Sequence, residues 1–145
     1  MAKKIAAAIV ALLLGLTFAF LYVPVLVETW SSTTMPPVNP AVSKFSTAVA
    51  GYVAAIIAMW FGVTAPGVNR SVQARTASFA SRLVVVPEWL RATVAIAYLL
   101  AYFGVAVIAG LVWVTRPGIT PDLLQTQAVV AAGLAFAIVT SLFSE

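Results

Sequence analysis

Cysteine and histidine are both absent from the chain. The first absence removes disulfides and thiol chemistry, and the second removes His-ligated haem and the commonest general base. Together they remove the Cys/His zinc sites. Charge is nearly as scarce: 8% of residues are charged and 63% are hydrophobic, where a soluble domain carries about 25% charged residues. A chain of 145 residues with that balance cannot clothe itself in a water-facing surface. It reads as one membrane domain, 1–145, with no second folded unit. The net charge of +4 does not signal nucleic acid, because the basic residues are scattered rather than clustered.

What is present is long apolar runs. The clearest covers residues 92–115 and contains no charge; Glu88 and Arg91 stand before it and Arg116 after it. A helix rises about 1.5 Å per residue and a bilayer core is about 30 Å thick, so roughly 20 apolar residues cross it. Trp89 and Trp113 lie near the two ends of this run, at the headgroup level that indole rings prefer. Pro87 and Glu88 suit a helix start, the acid complementing the helix dipole.

Three more spans are expected. Lys3 and Lys4 precede an uncharged run over 5–27. This run exceeds the apolar region of a signal peptide and is followed by bulky residues, so an uncleaved span is expected. Residues 28–40, rich in Ser, Thr, Asn and Pro, read as a loop, with Asn39 as N-cap and Pro40 at the first helical position. The second span is expected over about 46–65, stopped by Pro66 and Gly67. The fourth runs over 123–143, with Gln125 and Gln127 at the headgroup level or facing protein. Between the second and third spans, residues 68–86 place Val72, Thr76, Phe79, Leu83 and Val86 at helical spacing. Ser71, Arg75, Ser78 and Arg82 lie largely to another side, and the stretch carries Arg70, Arg75 and Arg82. That pattern predicts a short amphipathic helix at the cytoplasmic surface, its arginines meeting lipid headgroups or acting simply as orientation signals, or else a solvated linker helix.

The expected fold class is therefore an all-α membrane protein: four transmembrane helices (5–27, 46–65, 89–115, 123–143) in an up-down antiparallel bundle. Alternating spans with the N-terminus inside put Lys3, Lys4, Arg70, Arg75, Arg82 and Arg91 on the inner side, and only Lys44 and Arg116 outside. This is the positive-inside asymmetry, with both termini cytoplasmic. Trp60 and Trp89 then form the inner belt, Trp30 and Trp113 the outer. The expected location is a prokaryotic cytoplasmic membrane.

No Asp, Glu, Lys or Arg lies within the four apolar cores, which counts against pumps and ion-coupled transporters. Tyr52, Tyr98, Tyr102, Thr17 and Thr140 are hydroxyls at depth, expected as packed groups bonded to nearby backbone. The helices also carry small residues at four-residue spacing: Ala7, Ala11, Gly15 and Ala19 in the first, and Ala50, Ala54, Ala58 and Gly62 in the second. Close packing drives helix association in lipid, so these two rows are expected to form a crossing seam. No nucleophile triad, phosphate loop, metal cluster or carboxylate pair is present, so neither an enzyme nor a cofactor is expected. The expected function is that of a structural or accessory subunit, with the lipid bilayer and other membrane subunits or its own copies as partners. Two alternatives are a holin-like permeabiliser of phage type and a neutral-solute channel. The first shares small size and several spans, but the chain ends SLFSE, without the charged tail typical of holins.

Overall fold

The computed structural model describes residues 2–64 and 87–144. Among them are four helices: α1 (Ala2–Ser31), α2 (Pro40–Trp60), α3 (Glu88–Thr115) and α4 (Asp122–Phe143). All four are long and apolar enough to cross a membrane. The expected amphipathic segment with Arg70, Arg75 and Arg82 lies outside the described residues.

Helix starts and stops follow local chemistry. The Asn39 side chain accepts a hydrogen bond from the Ala41 N–H at 2.9 Å, with Pro40 opening α2, as the sequence suggests. The carbonyl of Pro87 accepts from Leu90 and Arg91, and that of Pro121 from Leu124 and Gln125, so each proline serves as the N-cap. Glu88 and Asp122 stand in the first turns of α3 and α4, where a negative charge is favoured.

Two helices, α1 and α2, differ from the expected spans at both ends. α1 continues one turn past residue 27, because the hydroxyls of Thr29 and Ser31 donate to the carbonyls of Val25 and Val27 and leave the polar segment compatible with helix. The second span runs Pro40–Trp60 rather than 46–65. Gly62, with φ +66°, turns the chain out of α2. Its N–H donates to the Met59 carbonyl, and the Val63 N–H reaches the Ala58 carbonyl. That pair of bonds is the Schellman motif, which needs a left-handed residue that glycine supplies without strain.

α2 and α3 touch one another, and each also packs on α1 and α4; the broadest contacts are α1 on α3 and α3 on α4. Within its apolar stretch α2 is 50% buried, against 22% for α1 and α4. It is therefore the most enclosed helix. Outward faces are apolar: Phe20 is 78% exposed, Leu100 71% and Phe136 74%. A soluble monomer seldom shows contiguous apolar surface on that scale, whereas lipid tails accept it.

Candidate functional site

The middle of the molecule is aromatic. Phe18 packs on Tyr22 with ring centroids 4.6 Å apart and on Tyr102 at 5.7 Å. Tyr102 meets Phe103 edge-on at 5.3 Å, and Trp60 lies 5.6 Å from Tyr98. Phe18, Tyr22, Tyr98 and Tyr102 are all essentially buried. Rings at these separations gain quadrupolar attraction beyond their buried area.

The small residues of α1 serve one of these rings. The Tyr98 hydroxyl of α3 donates to the Ala11 carbonyl of α1. A Cβ added at Gly15 would lie 2.8 Å from Tyr98 Cε1, so Gly15 is where the ring of α3 lies on bare backbone. Ala11 is buried and Ala19 half-buried; the side chain of Ala7 is outside the described set. The buried stripe of α1 runs Ala8, Ala11, Phe18, Tyr22, Leu26 and Thr29, with Gly15 between, rather than along every fourth residue. On α2, Ala50, Ala54 and Ala58 are all buried. Gly62 is the correction: it follows the end of α2 as its exposed cap and is not part of a packing row, because a left-handed residue cannot continue the helix.

Of the four tryptophans, Trp30 and Trp89 are exposed and Trp113 half-buried. Trp60 is half-buried against Tyr98. The hydroxyls of Thr17 and Thr140 donate back to the carbonyls of Leu13 and Phe136. Their donors are used inside their own helices.

One region is different. A cleft of about 90 Å³ is lined by Tyr22 of α1, Thr47 and Gly51 of α2, Tyr102 of α3, and Thr126 and Gln127 of α4. Tyr22 donates to the Ser46 carbonyl at 3.3 Å. Among the described residues, the buried side-chain polar atoms lacking a hydrogen-bond partner are Ser46 Oγ, Tyr102 Oη and Gln127 Nε2. Tyr102 and Gln127 line the cleft, and Ser46 precedes its lining residue Thr47. A buried polar group left unsatisfied costs about 1–3 kcal/mol, and Tyr102 and Gln127 bring two such groups to one cleft whose lining also includes the apolar Ala50 and Val130. Sequence reading marks Tyr102 as a hydroxyl at depth and Gln127 as a residue that turns to protein. It does not single out Tyr22 or Ser46, whose convergence depends on the rotation of α1 and α2.

Among the described residues there is no cluster of three or more Asp, Glu, His or Cys side chains. No family model, curated protein or solved structure matches the chain.

Proposed function

We propose that the chain is a small non-catalytic integral membrane protein that acts as a structural or accessory subunit, packing sideways against other membrane proteins or copies of itself. The carrying observation is where side chains stand. Large apolar residues face outward on every helix, while the described charges Glu28, Lys44, Glu88, Arg91, Arg116 and Asp122 all fall at or near helix ends. Such a molecule offers its surroundings shape rather than reactive groups. The aromatic filling of the centre by Phe18, Tyr22, Tyr98 and Tyr102 favours this reading over a neutral-solute channel.

An up-down antiparallel arrangement belongs to the same proposal. Ala11 and Tyr98, which bond, lie early in α1 and α3, while Arg116 Nη1 donates to the Ser32 carbonyl at 2.5 Å just past their far ends. Both contacts suit parallel α1 and α3. Tyr22, late in α1, reaches Ser46, early in α2, as suits antiparallel neighbours. The charge asymmetry of the sequence supports the further reading that both termini are on the cytoplasmic side of a prokaryotic membrane, with Arg70, Arg75 and Arg82 near anionic headgroups.

The experiment is expression of the full chain alone, following membrane potential and growth, then purification in mild detergent. Retained potential with a fixed set of co-purifying membrane proteins, or a defined homo-oligomer, supports the subunit. Abrupt collapse of the potential overturns it in favour of the holin-like permeabiliser. A solitary monomer under the same conditions overturns it as well.

A further inference from the structure

The cleft between the four helices is built for a ligand. Tyr102 and Gln127 are more than nine-tenths buried and line it, and their polar ends face one another without a hydrogen bond of ordinary geometry. Ser46 Oγ, buried without a partner, belongs to the residue next to the lining Thr47. Tyr102 brings one O–H and Gln127 Nε2 two N–H donors, while Gln127 Oε1 and the hydroxyl oxygens of the lining accept, so the spot suits a small polar group that both donates and accepts or accepts alone. No described Asp, Glu, Lys or Arg lines it, and a buried charge would go uncompensated, so the matching group is neutral: a hydroxyl or carbonyl oxygen.

The way in is sideways. Thr47 of α2 and Thr126 of α4 are exposed at the rim. At about 1.5 Å per residue they lie about 11 Å and 6 Å along their helices from Pro40 and Asp122, within the span. Gly51 lines the same cleft, and a Cβ built on it meets nothing within 4 Å. A space of about 90 Å³ takes a polar head of a few atoms while an attached chain stays among the lipid tails.

We infer that this cleft, between Thr47 and Gly51 of α2 and Thr126 and Gln127 of α4, binds the neutral hydroxyl or carbonyl head of an amphiphile dissolved in the membrane. The inference is independent of the packing role proposed above.

The test uses the full chain in phosphatidylcholine nanodiscs and two photoreactive probes: hexadecanol with a diazirine beside its hydroxyl, and the matching hydrocarbon. Labelled residues are mapped by mass spectrometry. The alcohol is expected to label the peptides around Thr47–Gly51 and Gln127 about tenfold more than the hydrocarbon does, the equivalent of one hydrogen bond. Unlabelled hexadecanol should compete. Gly51→Leu, which fills the cleft, and Gln127→Leu, which removes its donors at similar size, should each bring labelling down to the hydrocarbon level. Size-exclusion profile and helical circular dichroism check folding, and Gln127→Leu carries the test if Gly51→Leu misfolds. Equal labelling by both probes overturns the inference, as does indifference to a folded variant. Competition by glycerol but not by hexadecanol also overturns it, since the occupant would then be a water-borne solute.

Discussion

Tyr98 of α3 donates its hydroxyl to the main-chain carbonyl of Ala11, 87 positions earlier in the chain, while its ring covers Gly15 one turn further along α1. One side chain thus joins the two helices twice, by a polar bond at its tip and by ring-on-backbone packing at its edge. Lipid offers no hydrophobic drive for helices to associate, so contacts of this kind carry much of the work.

Gly15→Ala should therefore destabilise the protein even though alanine is the better helix former by about 1 kcal/mol. The new methyl meets Tyr98 Cε1 at 2.8 Å, and overpacking of this kind costs about 1–3 kcal/mol. Tyr98→Phe should lose about 1 kcal/mol through the hydroxyl alone. Reversible unfolding in detergent reads both. In the Tyr98→Leu background the Gly15→Ala penalty should shrink, and equal penalties in both backgrounds would show that the two residues are uncoupled.

The cap of α2 gives a second prediction. Asn39→Ala leaves the Ala41 N–H without its 2.9 Å acceptor and should cost about 1 kcal/mol, with Asn39→Asp or Asn39→Ser restoring most of it. At the other end, Gly62→Ala puts a Cβ at φ +66° and should cost about 1–2 kcal/mol. Because nothing stands within 4 Å of that Cβ, the penalty is conformational, and Gly62→Asn should recover part of it. A neutral Gly62→Ala would mean that the chain leaves α2 by another route.

The number of helices and the starts of α2 and α3 were legible because they rest on local chemistry: apolar runs, Asn39 before Pro40, the acid after Pro87. Which face turns inward was less so. A row of every fourth residue drifts by about 40° per step around a helix of 3.6 residues per turn. Ala7, Ala11, Gly15 and Ala19 therefore spread over about 120°. Steps alternating three and four hold one face, and Ala8, Ala11, Gly15, Phe18 and Tyr22 follow them. Small size at Ala11 and Gly15 suggests a seam with α2, and it does not say that the group lying on them is Tyr98 of α3. The polar cleft was hidden for the same reason: Ser46, Tyr102 and Gln127 come from three helices and share no local pattern.

The absence of cysteine makes the proposed topology directly testable. Thr33 and Gly118 are exposed in the two connections α1–α2 and α3–α4, and Ser144 is exposed after α4. In intact cells a membrane-impermeant maleimide should label Thr33→Cys and Gly118→Cys but reach Ser144→Cys only after lysis. Labelling of Ser144→Cys together with the other two would refute an even number of crossings with cytoplasmic ends.

Gln127 gives the prediction of opposite sign. It is 3% exposed and its Nε2 has no partner among the described residues, so in the unliganded protein this group is a burden of about 1–3 kcal/mol. Gln127→Leu keeps the volume and removes the burden, and should leave thermal stability in detergent unchanged or raise it by up to that amount. Tyr102→Phe, which deletes a hydroxyl that faces Gln127 without a hydrogen bond of ordinary geometry, should behave alike, in contrast to the loss expected for Tyr98→Phe, whose hydroxyl is bonded. A tyrosine buried for packing alone would give two equal Phe variants. Unequal ones, with Tyr98 the costly member, would separate the hydroxyl that holds the helices together from the one that is kept for something else.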